Sequence, residues 1–211
     1  MSLDFLTIGA DPGVVARSPL AAGTAAAGAR FEVRDGWEVA ARFAEPGVEA
    51  LACRERVGWA DVSHLRKLEV QGTPEQLAAA RPEDGTWLPF TPERALLLDG
   101  AVVPDTGAHV LDATSLWGAM RIAGPLSREL FARFCALDLR PHAAPPGAFR
   151  PGSVARTPGA VLCEAPDRYL MLFGAAYGDY VWEVVSDAGI HLGGRPVGVD
   201  ALVAREEPSH A

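Results

Sequence analysis

Few side chains of this chain are grouped as chemistry requires. Asp105, in "DGAVVPDTG", ends an apolar run in a loop. A carboxylate there can accept hydrogen bonds from the N–H groups of a ligand, and it equally suits an Asx-turn with Thr106-Gly107. Arg156, in "SVART", falls on a predicted strand. It can hold a carboxylate bidentately or keep a sheet edge soluble. No G-x-S-x-G elbow offers a nucleophile, and Ser127 in "GPLSRE" suits a helix start. The stretch "GGRPVG", 193–198, follows a predicted helix and lacks the Lys-Ser/Thr of a phosphate loop. Glu206-Glu207 read as solvated groups of a polar tail. No catalytic residue is assigned from these patterns.

Metal chemistry fares no better. No two of the five histidines are close enough in sequence for a local ligand pair. His64, the only one in a patterned segment, reads as a surface or turn residue. Cys53, Cys135 and Cys163 are odd in number and far apart, which suits reduced core thiols in a cytoplasm rather than disulfides or zinc. A formal charge of -8 argues against nucleic acid or an anionic membrane as partner. No apolar run approaches the roughly 20 residues that span a bilayer, and "MSLDFLTIGADPG" has no secretory pattern. The location expected is therefore cytoplasmic.

The elements that must position any site follow from periodicity and turn residues. Residues 1–28 show no sustained period and read as an irregular arm. Asp35-Gly36 between alternating runs predicts a hairpin. Residues 45–58 predict a helix with Val48, Leu51 and Ala52 on its apolar stripe. A strand follows in which Leu65, Leu68 and Val70 flank the charged Arg66, Lys67 and Glu69. Thr73, Pro74 and Gln76 predict a helix start by N-cap, N1 and N3. Residues 81–92 read as a loop or linker, and "RALLLD" as a buried strand. After Gly124-Pro125 a helix is expected to about Leu137. The Pro-rich excursion 140–152 follows, then strands separated by Pro158-Gly159 and Pro166-Asp167 turns. The clearest helix covers 176–188, with Tyr177, Tyr180, Val181, Val184, Val185 and Ala188 as its stripe and Gly189 as its stop.

One pattern occurs twice. "VGWADVSHLRKLEVQG" (57–72) and "VLDATSLWGAMRIAG" (110–124) share an Asp, a hydroxyl residue two places on, an alternating stretch and a Gly. Asp61, Ser63 and Gly72 thus match Asp112, Thr114 and Gly124, with a shift of 51 at the Asp and 52 at the Gly. Side-chain bonds to backbone at such turns, and a Gly where strand meets helix, give the repeat a structural reading. The chain is expected to be α+β, built by duplication: first half 29–92, second half 93–203, polar tail 204–211.

These stretches resemble a known family. The first is similar to the "glfDvShm…v.G" signature of the folate-binding aminomethyltransferase superfamily (glycine cleavage T-protein type), the second to its "Dvs…a.l.l.GP" signature. "CALDLRP…AFRPGSVARTPGAVL" resembles the gamma subunits of heterotetrameric sarcosine oxidase. The resemblance runs over about residues 30–203 and implies two tandem split-βαβ, ferredoxin-like halves without the C-terminal β-barrel of full-length relatives. It implies tetrahydrofolate as a ligand, near Leu65, Asp105 and Arg156, with FAD or FMN on partner chains. Departures from the family pattern imply a supporting role. Only Asp105 resembles the family's catalytic Asp, its ligand-holding Glu motif is absent, and Leu202 stands at the place of an Arg. Three readings result. The first is a non-catalytic gamma-like subunit beside a large flavoprotein that oxidises an N-methyl amine. The second is a small stand-alone tetrahydrofolate-dependent aminomethyl or methyl transferase. The third is a folate-binding or scaffold homo-oligomer without turnover.

Overall fold

The computed structural model of the protein describes residues 14–100 and 103–203. Residues 14–28, the described part of the expected arm, carry β1 (Ala16–Arg17) and α1 (Ala21–Ala26). Leu20 between them is fully buried, and the Thr24 hydroxyl donates back to the Leu20 carbonyl at 3.1 Å. One anchor and a few local bonds order a segment that has no periodicity to read.

β2 (Arg30–Arg34) and β3 (Trp37–Arg42) form the predicted hairpin. Positive φ at both turn residues, 50° at Asp35 and 78° at Gly36, gives the two-residue turn whose twist matches the strands. α2 (Pro46–Glu55) begins on its proline as expected, but its buried side is Glu49, Ala52 and Cys53. Val48 and Leu51, expected on the apolar stripe, are exposed. A buried anion sets the roll of this helix. The Glu49 carboxylate accepts from the backbone N–H groups of Phe43 (2.5 Å), Ala44 (2.6 Å) and Gly198 (2.8 Å).

β4 (Gly58–Asp61) and β5 (Lys67–Gln71) come next. Lys67 and Glu69, read from sequence as flanking charges, are buried. α3 (Pro74–Ala80) has the predicted cap in full, with Thr73 and Gln76 bonded reciprocally. Where a loop was expected at 81–92, β6 (Thr86–Thr91) forms a sheet edge. An edge tolerates Pro89 because no neighbour needs its missing N–H. β7 (Arg94–Leu98) is the buried strand expected. β8 (His109–Asp112) and β9 (Trp117–Ala123) follow, then α4 (Ser127–Ala132), shorter than the helix expected to Leu137.

β10 (Phe149–Val154), β11 (Thr157–Ala165) and β12 (Arg168–Gly174) make a meander. The first of its turns is not at Pro158-Gly159, which lie inside β11, but at Ala155-Arg156, with φ of 47° and 61°. The Thr157 hydroxyl secures it by donating to the Val154 carbonyl at 2.9 Å. α5 (Gly178–Ile190) buries Val181, Trp182, Val185 and Ala188, leaving Tyr177 and Tyr180 exposed. Gly189, expected to stop this helix, lies within it, where a Cβ would strike the Trp59 ring. β13 (Arg195–Pro196) and α6 (Val199–Val203) end the described chain. No helix among the described residues is long and apolar enough to cross a membrane.

The sheets are β1-β3-β2, β10-β11-β12-β9-β4-β13 and β6-β7-β5-β8, giving a mixed α+β fold. One face of the six-stranded sheet (Trp59, Met120, Ile122, Met171) packs against Leu130, Phe131, Val181 and Val185 of α4 and α5. Its other face (Ala60, Ala119, Leu170, Leu172) packs against Leu88, Leu96 and Leu98 of the four-stranded sheet. β4 pairs with β9, and β5 with β7 and β8, so these ladders run across position 92.

The two copies of the repeated motif meet in these ladders as a reciprocal clasp. Each Asp holds its own turn: Asp61 accepts from the Ser63 N–H and Asp112 from the Thr114 N–H, both at 2.9 Å. Each hydroxyl then crosses to the other copy. Ser63 Oγ accepts from the Ala119 N–H and Thr114 Oγ1 from the Lys67 N–H, both at 3.0 Å. The one-residue slip lies inside the turns: Ser63 to Lys67 is a step of four residues, Thr114 to Ala119 a step of five. Gly124, at φ 132°, lies against the Arg56 carbonyl, where a Cβ would collide. Gly124→Ala should cost about 2 kcal/mol or more, read from the urea midpoint.

Candidate functional site

The clasp and its neighbours enclose a pocket of about 380 Å³. The β2–β3 hairpin brings Asp35 and the buried Trp37; the turn between β4 and β5 brings His64, Leu65 and Arg66. Asp99, beyond the end of β7, and Asp112 and Thr114, at the second copy's turn, complete the lining. Asp99 holds a positive φ of 52°, and its N–H donates to the Arg66 carbonyl at 3.1 Å, tying the β7 end to the first turn.

The charge states follow from burial. His64 is pushed down to about 4, chiefly by desolvation and then by Lys67, Arg34 and Arg121, against the pull of Asp35. It is a neutral imidazole at pH 7. Lys67 is fully buried behind the pocket and lowered to about 8 by desolvation, which Asp61, Asp99 and Asp112 oppose. Burial also raises the carboxyls of Asp61 and Asp99. The pocket therefore offers carboxylate acceptors, the Arg66 guanidinium, a neutral imidazole and an apolar wall of Trp37 and Leu65. Such a lining can bind a flat, N–H-rich ring. The one hydroxyl of the lining, that of Thr114, accepts from the Lys67 N–H.

The sequence-derived candidates do not converge. Leu65 lines the pocket, as do Asp112 and Thr114. Asp105 accepts from the Gly107 N–H at 3.3 Å in an Asx-turn, and Thr106 bonds the Gln76 carbonyl at the α3 side. Arg156 sits exposed at the β10–β11 turn. Neither Asp105 nor Arg156 is among the lining residues of the pocket. Sequence reasoning missed Asp35, Asp99 and Lys67; His64, read as a surface or turn residue, is in a turn and half-buried. One signal was available: His64 stands between the hydroxyl and the Leu of the repeated motif. Clefts of about 430 Å³ beside α4 and about 450 Å³ between β6 and β11 do not involve the repeat.

No family model matches the chain. An aminomethyltransferase of Synechococcus elongatus is 39% identical over 87 residues, 40% of this chain and 23% of that protein. A probable aminomethyltransferase of Natronomonas pharaonis is 32% identical over 97 residues, 40% of this chain and 27% of that one. The matches thus span about a quarter of these relatives' length. Among solved structures, a chain of heterotetrameric sarcosine oxidase from Corynebacterium sp. U-96 superposes with a TM-score of 0.62 at 20% identity. That superposition covers 84% of this chain and 96% of that one. The glycine cleavage system aminomethyltransferase T from Bartonella henselae gives a TM-score of 0.62 at 14% identity, covering 89% of this chain and 60% of that one. At these identities the two structures speak for the fold.

Proposed function

We infer, for a chain similar to the aminomethyltransferases in part of its sequence and in fold, and in fold to a chain of heterotetrameric sarcosine oxidase, that it serves folate-linked one-carbon chemistry. The reading is a non-catalytic, gamma-like subunit of a flavin-dependent N-methyl amine oxidase or demethylase complex. Its partners are large flavoprotein subunits, which carry FAD or FMN. One observation carries the reading: the match takes in 96% of a chain that is part of a heterotetramer, against 60% of the aminomethyltransferase T of the glycine cleavage system. The accompanying fold reading is two tandem split-βαβ halves, and the reciprocal clasp supports the duplication.

Tetrahydrofolate, when bound, supplies the acceptor for the one-carbon unit. The pocket residues fit its pterin ring. Trp37 and Leu65 offer apolar surface, Asp99 and Asp112 offer acceptors for ring N–H groups, and neutral His64 adds no competing charge. Asp105 and Arg156, outside this lining, would act on folate only at a boundary with another chain.

Expression of the tagged chain with its native neighbours should yield an eluate with flavin absorbance. Calorimetry of that complex should register tetrahydrofolate. The partial identity to aminomethyltransferases favours a second reading, a stand-alone transferase. If the pure chain moves a one-carbon unit to tetrahydrofolate, the second reading stands and the subunit reading is wrong.

A further inference from the structure

The Ser63–Leu65 turn has an unusual interior. Its outer bonds are ordinary: the Leu65 N–H donates to the Val62 carbonyl at 3.1 Å, and Ser63 is held by the clasp. Its other carbonyls point inward. Those of Ser63 and Leu65 converge on the Lys67 ammonium, at 2.8 and 2.7 Å. Lys67 has no solvent exposure and is not among the residues lining the pocket. Without the ammonium, a buried acceptor (Ser63) and a part-buried one (Leu65) would lose their shared donor, a costly arrangement. A buried ammonium is itself costly, so a neutral residue of this length would suit the core better unless the charge has a task.

We propose that Lys67 is the positioning residue of the pocket: by gathering the Ser63 and Leu65 carbonyls it fixes the turn that presents His64 and Leu65 to a ligand. The ammonium acts as an internal cation around which the turn is wound. Asp61, Asp99 and Asp112, at the ends of β4, β7 and β8, support its charge through space. The side chain itself stays out of the pocket lining. His64, packed near Lys67, Arg34, Arg121 and Asp35, reports on the turn without any ligand. The ligand arm of the following test rests on the folate reading; the ligand-free arm does not.

Lys67→Met and Lys67→Gln are compared with the wild type by NMR of the His64 ring and by hydrogen exchange of residues 63–66. In the wild type, burial and the nearby Lys67 push the His64 imidazole down to about 4. Lys67→Met should move that midpoint upward and raise exchange in the turn by about tenfold relative to β12. Lys67→Gln, which keeps a donor without the charge, should fall between. Tetrahydrofolate affinity of the flavoprotein complex should weaken by about tenfold in Lys67→Met, equivalent to about 1.4 kcal/mol. Unchanged titration and exchange in a folded Lys67→Met overturn the proposal. Should that variant not fold, wild-type exchange between pH 7 and 10 decides. Protection of the turn, corrected for intrinsic exchange, should fall relative to β12 as Lys67 loses its proton, and constant protection overturns the proposal. No heat from tetrahydrofolate with wild-type complex sinks the folate reading and leaves the ligand-free result standing.

Discussion

Glu49→Ala is expected to lower stability by about 4 kcal/mol, enough to move a small protein close to unfolding at body temperature. The carboxylate ties three backbone N–H groups from two places, Phe43 and Ala44 at the end of β3 and Gly198 before α6. Truncation leaves three donors unsatisfied, two of them part-buried and one buried, and opens a hole beneath α2. Hydrogen bonds to a charged acceptor are the stronger kind, and orphaning their donors costs more than removing both partners. Glu49→Gln keeps one acceptor oxygen but not the charge, so about half the loss should remain. Urea unfolding measures both, with the slope unchanged if the native state keeps its compactness. A loss below about 1 kcal/mol for the alanine variant would mean that water replaces the carboxylate.

The clasp should give the second large effect. Ser63→Ala removes the acceptor of the Ala119 N–H, and Thr114→Val, nearly isosteric, removes that of the Lys67 N–H. Each is expected to cost about 2 kcal/mol, since both orphaned donors are buried. The costs should be alike, because the two bonds are related by the repeat. They should not add. Breaking either crossing loosens the ladder that aligns the other, so a double-mutant cycle should return a coupling of about 1 kcal/mol. Strict additivity would show the two crossings to be independent turns.

The sequence was legible where structure is local. Asp35-Gly36 needs only its own backbone preference, and the Thr73–Gln76 cap needs only a spacing of three. What failed depends on distant partners. Glu49 and Lys67 look like surface charges until Gly198 and the Ser63 and Leu65 carbonyls are brought to them. Ala155-Arg156 took a turn that Pro158-Gly159 advertises, because the ladder register of β10 and β11 overrode local propensity. The site was half visible. Leu65 and the Asp and hydroxyl pattern could be read, whereas Asp35 and Asp99 reach the pocket only through the packing of a hairpin and a strand end against it.

The clasp has one more consequence. Gly58 pairs with Ala123 while Gln71 pairs with His109, and Asp61 with Met120 while Leu68 pairs with Asp112. Allowing for the slip, each pair is the image of the other under exchange of the two copies. That is the rule of an isologous contact, in which residue i of one subunit meets j of the other and j meets i. The centre of this chain is thus organised as the seam of a two-fold dimer whose halves share one backbone. A seam between identical chains must change both sides at once; here each side can drift alone. Copy one keeps His64 and Lys67 at its turn where copy two has Ser115 and Ala119. The pocket grows out of that broken symmetry.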